Sequence, residues 1–303
     1  MNPKVSIIIP AYNKAELTVK TVDSVLRQTY NNIEIIVVDD GSTDDTHQRL
    51  ISYGDKIVYI HKENGGACSA RNLGIKAAKG EYIGILDCDD LYLPEKVEIS
   101  VKYLEENMEA GFVSTVAYLI DETEQVQGIH CLGRNKGTGW ITKKLLAGNF
   151  VCNSTVIVRK SCLDLVGLFD ETIFFPADWD MWLRLSENFK AGYINVPLSM
   201  YRTTGSYLAR HLDQSKKEEL IVLEKAFKRN TILREYLKNK AVSNVYRRYS
   251  LNYLFCGDIN KSREFLIMSL RKYLLSPKTL FLFLCTIVCG GRLSSVQRFF
   301  KRF

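Results

Sequence analysis

The 303-residue sequence has no CxxC pair, no phosphate-binding glycine signature and, near its C-terminus, no apolar run long enough to cross a bilayer. Its eight cysteines (Cys68, Cys88, Cys131, Cys152, Cys162, Cys256, Cys285, Cys289) lack paired spacing, which argues against a zinc ribbon or disulfide framework and for reduced thiols in a cytoplasmic chain. Thr279–Gly291 is an uncharged stretch of 13 residues, whereas a spanning helix needs about 20. Met-Asn-Pro-Lys leads directly into Val5–Ile9 with no apolar leader, so no secretion signal is expected. Without GxGxxG or a P-loop lysine, dinucleotide and Walker-type binding have no support. His47, His61, His130 and His211 are isolated and read as structural or surface residues. No stacking motif interleaves the basic residues as a nucleic-acid platform requires, so no nucleic-acid partner is expected.

What remains is globular in composition, with 46% hydrophobic and 25% charged residues, which excludes wholesale disorder. The net charge of +7 conceals a division. Residues 1–208 carry 27 acidic against 21 basic side chains, and residues 209–303 carry 7 against 20. Arg271, Lys272, Lys278, Arg292, Arg298, Lys301 and Arg302 flank the 13-residue stretch and favour a helix lying on an anionic membrane surface over a buried or homodimer-forming one. Ser215–Lys240, Val242–Phe255, Ile259–Leu274 and Thr279–Cys289 have helical spacing, with breaks at Gly257-Asp258 and Ser276-Pro277.

In the first half, β-branched runs of strand length (Val5–Ile9, Ile33–Val38, Ile57–Ile60, Tyr82–Leu86) alternate with helical patterns (Glu16–Leu26, Asp44–Ile51, Ala67–Ala78). That alternation predicts an α/β fold, a mainly parallel sheet with helices on both faces, with ligands gathered at the carboxyl ends of the strands. Those ends carry Pro10-Ala11-Tyr12-Asn13, Asp39-Asp40-Gly41-Ser42-Thr43-Asp44 and Asp87-Cys88-Asp89-Asp90. Ser42 or Thr43 is expected to cap the following helix. Gly65-Gly66 opens a helix whose free N–H groups, with Arg71, suit an anion. In an extended segment Asp87 and Asp89 point the same way, and a hard divalent cation takes one or two carboxylates plus substrate phosphate.

Six segments, Val5–Asn13, Val38–Asp44, Asn64–Gly74, Gly80-Glu-Tyr-Ile, Leu86–Asp90 and Asp178–Leu185, together resemble a family 2 glycosyltransferase of the GT-A fold over roughly residues 3–205. The resemblance implies an inverting transfer from a nucleotide-diphosphate sugar, usually UDP-linked, to a saccharide or lipid-linked acceptor in surface polysaccharide or glycolipid synthesis. It implies that Pro10, Ala11 and Tyr12 border the nucleobase, that Asp40 bonds its edge and that Arg71 lies near the nucleotide. Asp87, Cys88 and Asp89 match the DxD signature that holds ribose and a Mg²⁺ or Mn²⁺ ion, with Asp90 an additional ligand left open. Asp178 matches the catalytic base. On a helix it shares a face with Met181, Trp182 and Leu185, apart from a polar stripe of Asp180, Arg184 and Glu187, and apolar company raises a carboxyl pKa.

Two positions depart from the family: Ala177 stands where Glu is common, and Thr204 where a histidine often lies. They leave open a catalytically silent nucleotide-sugar-binding or scaffold protein; a nucleotidyltransferase would need a glycine-rich loop that Pro10–Asn13 is not. Trp140, Phe150, Phe174, Phe175, Trp179 and Trp182 offer faces for an acceptor sugar, and Asn153-Ser154-Thr155 fits an N-glycosylation sequon while reading as a strand entry. The expected organisation is a catalytic domain of residues 1–210 and a basic helical region of 211–303, cytoplasmic and peripheral at the inner face of the plasma membrane.

Overall fold

Four short β-branched runs form the parallel half of the sheet: β1 (Val5–Ala11), β2 (Ile33–Asp39), β3 (Val58–His61) and β4 (Tyr82–Ile85). Val5 pairs with Ile33 on one side and Tyr82 on the other, and Ala11 pairs with Asp39. The computed structural model describes residues 2–130, 137–203, 211–231, 234–274 and 276–288. Among them nine strands make one sheet, in the order β3-β2-β1-β4-β8-β6-β9-β5 with β7 on β6. The later strands are β5 (Leu91–Tyr92), β6 (Ala110–Ile120), β7 (Val126–His130), β8 (Ile157–Arg159) and β9 (Lys190–Arg202). β8 runs antiparallel to both β4 and β6, so the sheet is mixed, and only β6 with β9 restores parallel pairing.

Strand β1 is buried along its whole length, which explains a sequence that is apolar apart from Ser6, whose hydroxyl is matched by Glu34 and by Gly80 N–H. Ile7 and Ile9 join Val22 and Val25 of α1 (Ala15–Leu26) and Val97, Val101 and Leu104 of α4 (Lys96–Glu106) in one core. Ile8 faces the other way, onto α3 (Ala67–Ala77) at Gly74. Edge strand β3 is only partly covered. The chain visits β2 and β3 on one side of β1 and then crosses to β4 on the other, which places a topological switch point at the carboxyl end of β1. Lys96 is wholly buried, its amine bonded to Ser100 Oγ at 2.9 Å, and burial lowers its pKa to about 7.

The chain divides into two compact units, Met1–Leu145 with Asn149–Thr204 and Leu146–Gly148 with Gly205–Phe303. Within the second, α8 (Leu212–Arg229), α9 (Glu235–Phe255), α10 (Ile259–Lys272) and α11 (Pro277–Val288) follow one another. The single helix expected over Ser215–Lys240 is two: α8 ends at Arg229 and α9 starts at Glu235. The break at Gly257-Asp258 is present, with Gly257 at φ +91° and Asp258 capping α10 by accepting from Lys261 N–H at 2.9 Å. Leu254, Leu266 and Leu282 form this unit's core, and Tyr253 stacks on Phe265 with centroids 5.3 Å apart. Among the described residues no helix is long and apolar enough to cross a membrane.

Gly74 marks the closest approach of α3 to the sheet. A Cβ there would overlap Ile8 Cγ2 and press Val38 Cγ2 at 3.3 Å, and both are stiff β-branched core residues. Gly74→Ala is expected to cost about 1–3 kcal/mol in urea denaturation, because overpacking forces the helix off the strands.

Candidate active site

The tips of β1 and β2 are stitched together by Asn13, which sits at φ +49°. Its Oδ1 accepts from Thr43 N–H at 2.7 Å and Asp44 N–H at 3.3 Å, while its own N–H donates to Ser42 Oγ at 3.0 Å. Asp44 accepts from Ala15 N–H at 3.1 Å at the start of α1 and from Thr46 N–H at 3.1 Å at the start of α2 (Thr46–Ile51). The expected cap at Ser42 or Thr43 is therefore supplied by Asp44, and Ser42 serves Asn13 instead. Gly41 makes the turn at φ +79°, where a Cβ would meet Asn64 N at 2.8 Å. Of the residues expected around a nucleobase, Pro10 and Ala11 are buried within β1, and Tyr12 stands 48% exposed at its end.

Asp39 and Asp40 face inward. Asp39 accepts from Ser42 N–H at 2.9 Å and Tyr59 Oη at 2.5 Å, and lies 3.3 Å from His61 Nδ1. Burial works against its charge, but these bonds outweigh it and lower the pKa. Asp40 accepts from Gly65 N–H at 3.0 Å, Gly66 N–H at 2.7 Å and Lys62 Nζ at 2.7 Å. The loop amides expected to wait for an anion are thus already bonded to Asp40. Asp40 lies 25 residues before Gly65, so no local spacing signals that latch.

Asp87–Asp90 is a turn rather than an extended segment, closed by Asp90 N–H to Asp87 O at 3.0 Å, so strand alternation does not govern where Asp87 and Asp89 point. Asp87 pairs with Arg71 Nη2 at 2.7 Å and accepts from Asn153 Nδ2 at 3.0 Å, both on Oδ1. Arg71 in turn lies over the Phe169 ring at 5.5 Å. Asp89 pairs with Lys14 Nζ at 2.5 Å. Cys88 is buried, and burial together with Asp89 pushes its thiol up to about 12.

Asp90, left open as a metal ligand, is 1% exposed and occupied. It accepts from Ser154 Oγ at 2.5 Å and from Arg202 N–H at 2.8 Å, and burial beside Asp87 and Asp89 raises its pKa well above the carboxylate range. The Arg202 side chain bonds Asp89 O at 3.0 Å and Asp121 O at 2.8 Å. Sequence reasoning missed this brace, which only the pairing of β9 with β6 creates. With Asp90 used internally, Asp87 and Asp89 are the partly exposed carboxylates of this turn. Among the described residues no group of three or more His, Cys, Asp or Glu side chains forms a metal site. Two carboxylates completed by phosphate oxygens suit a hard divalent cation that keeps few protein ligands.

Asp178 lies in the first turn of α7 (Ala177–Asn188), partly buried. It accepts from Trp179 N–H at 2.7 Å and Asn149 Nδ2 at 2.9 Å. Burial raises its pKa to about 6 against the pull of Arg71 and those two bonds, while Asp87 adds to the rise. Asp178 thus shares an electrostatic neighbourhood with the Arg71–Asp87 pair. Met181, Trp182 and Leu185 are fully buried behind it. The polar stripe is not solvated at its Asp180 end: Asp180 is buried and pairs with Arg184 at 2.8 Å, and Arg184 also bonds the carbonyls of Val166, Gly167 and Leu168.

Of the aromatic residues considered for an acceptor, Trp179 and Trp182 are core residues, Phe150 and Phe175 are half-buried, and Trp140 and Phe174 are exposed. Ala177 is buried, and its methyl gives Asp178 no neighbouring carboxylate as a glutamate would. Thr204 lies outside the described residues.

The model of the glycosyl transferase family 2 matches residues 6–163, just over half of the chain. An uncharacterized glycosyltransferase of Rickettsia prowazekii is 39% identical over 60% of this chain and 58% of its own, so this chain spans less than two thirds of that relative. The E. coli UDP-Glc:alpha-D-GlcNAc-diphosphoundecaprenol beta-1,3-glucosyltransferase WfaP is 37% identical over 72% of this chain and 82% of its own. Among solved structures, S. aureus TarS 1–349 in complex with UDP-GlcNAc superposes with a TM-score of 0.68 at 17% identity, covering 99% of this chain and 92% of that one. That likeness carries the GT-A fold.

The Asp90 brace makes a stability prediction. Asp90→Ala leaves Arg202 N–H and Ser154 unmatched and is expected to cost about 2–4 kcal/mol by chemical denaturation. Asp90→Asn keeps an acceptor and sheds a buried acid, so its denaturation midpoint at neutral pH should match or exceed that of the wild type.

Proposed function

The chain belongs to glycosyl transferase family 2, and from that premise we propose that it moves a sugar from a nucleotide-diphosphate donor, UDP-linked, onto a hydroxyl of a saccharide or lipid-linked saccharide acceptor, with inversion. The observation that carries the reading is Asp178: a carboxyl with pKa near 6, held by Asn149 and set against the Arg71–Asp87 pair. Such a group is ionised at neutral pH yet remains a useful proton acceptor. The activity of the relative WfaP, transfer of glucose from UDP-glucose to a diphosphoundecaprenol-linked sugar, supports a UDP donor and a lipid-linked acceptor in surface polysaccharide or glycolipid synthesis.

In this reading the donor lies across the strand tips, with Tyr12 and the β1 end beside its base. Asp87 and Asp89 would hold a Mg²⁺ or Mn²⁺ ion together with the diphosphate. That ion supplies charge neutralisation to the departing diphosphate when bound. Asp178 takes the proton of the acceptor hydroxyl as its oxygen attacks C1 of the donor sugar from the face opposite the phosphate. The new C–O bond forms as the C1–phosphate oxygen bond breaks, and the electron pair leaves with the nucleoside diphosphate. Arg71, charged and partly buried, holds Asp87 in place and keeps Asp178 from being protonated higher still. The basic second unit places the enzyme at an anionic leaflet, through the α11 face on which Leu280, Phe281, Leu284 and Ile287 are exposed.

Two outcomes test this. Asp178→Asn should lower sugar transfer by at least about 100-fold with donor affinity and fold retained, and unchanged turnover would refute the base assignment. In the wild type, rate should rise with pH through about 6 and level off above it, because only the ionised carboxylate accepts a proton; a flat profile from pH 5 to 8 would contradict the assignment. For the second unit, co-sedimentation with anionic but not neutral vesicles, weakened by high salt, is the expected result.

A further inference from the structure

The turn Asn153–Thr155, between Cys152 and β8, lies almost wholly inside the fold at 7%, 1% and 0% exposure. Its other polar side chains are matched. Ser154 Oγ donates to Asp90 and accepts from Asp87 N–H at 3.2 Å, and Thr155 Oγ1 donates to Cys152 O at 2.7 Å. Asn153 differs: Nδ2 donates to Asp87 Oδ1 at 3.0 Å, while its buried Oδ1 has no partner. Turning the amide over would set its oxygen against the Asp87 carboxylate, so charge fixes this orientation.

The other group on that Asp87 oxygen, Arg71, leaves its Nε buried and unmatched too. The two side chains that share Asp87 Oδ1 therefore carry one orphaned acceptor and one orphaned donor between them. Buried polar atoms in folded proteins are nearly always matched, and a hydroxyl is a group that accepts from an N–H and donates to a carbonyl at once. Both atoms are screened from bulk water, where an unmatched polar group is costly and a hydrogen bond to it is strong.

We propose that Asn153 is a donor-binding residue, its Oδ1 accepting a hydrogen bond from a hydroxyl of the nucleotide sugar while its Nδ2 positions Asp87. The proposal rests on reading the strand-tip crevice as the donor site. The hydroxyl belongs either to the ribose or to the transferred sugar, and the two sources separate by probe: loss of affinity for UDP marks the ribose, and loss confined to UDP-glucose marks the sugar.

The experiment is calorimetric titration of UDP, UDP-glucose and their monodeoxy analogues into the wild type, Asn153→Ala and Asp87→Ala, each checked for folding by thermal denaturation. One deoxy analogue should bind the wild type about 10-fold more weakly than its parent, and that penalty should vanish in Asn153→Ala, since removing either partner of one hydrogen bond leaves nothing for the second change to remove. A merely structural asparagine would weaken parent and analogue alike and keep the penalty, which overturns the proposal. If Asn153→Ala does not fold, wild-type binding decides: equal affinity for the parents and every monodeoxy analogue overturns it. Asp87→Ala separates the two readings. Lost donor affinity there with the wild-type penalty intact in Asn153→Ala sinks only the Asn153 role, whereas unchanged affinity in both variants sinks the donor-site reading with it.

Discussion

Six carboxylates, those of Asp39, Asp40, Asp87, Asp89, Asp90 and Asp178, belong to the strand tips and the adjoining helix α7, and placing so many acids there, with Asp87 acting against both Asp90 and Asp178, is the constraint around which the site is built. Each is answered differently. Asp39 is held ionised by a tyrosine, a serine turn and a histidine, while Asp40 accepts hydrogen bonds from two backbone amides and Lys62. Asp87 and Asp89 each take one cation, Arg71 and Lys14. Asp90 is driven toward its protonated form, and Asp178 is left between the two states. Such a division of roles among neighbouring acids, some fixed as charges and one poised near neutrality, is what separates a reactive carboxylate from a structural one.

The same division explains what could be read from the chain alone. The parallel half of the sheet was legible because strands buried on both faces are mostly apolar, and Val5–Ile9, Ile33–Val38 and Tyr82–Leu86 are so with only Ser6 and Glu34, which bond each other, interrupting. The strand-tip location of the acids followed from the alternation of strands with helices. Long-range pairing was not legible: Asp90 looked like one more ligand until Arg202, 112 residues away, was seen to donate to it. Asp40 looked free until Gly65 and Gly66 closed on it. Local spacing also misled at Asp87–Asp90, where three acids in four residues suggested an extended ligand set and the backbone makes a turn instead.

The second unit follows a different logic. Its helices meet through small polar residues as well as leucines: Ser243 and Ser269 bond one another at 2.8 Å, and Ser269 reaches Thr279 at 3.3 Å. Hydroxyls can lie at such contacts because a serine or threonine satisfies itself against its own helix or a facing one. The expected unbroken helix over Ser215–Lys240 failed for want of a strong punctuating residue; the break near Asn230 carries neither glycine nor proline, so periodicity alone ran through it.

The turn Asn153-Ser154-Thr155 has a bearing on how this protein can be manufactured. Its three residues spell the acceptor triplet for N-linked glycans, yet the finished fold leaves Ser154 and Thr155 no surface and Asn153 almost none. In a host that attaches glycans to the nascent chain, the sugar would arrive before the turn is enclosed, on the same Nδ2 that the fold bonds to Asp87. Secretion through a eukaryotic pathway therefore sets glycan attachment against folding at this triplet, and a host without that modification machinery is the appropriate source.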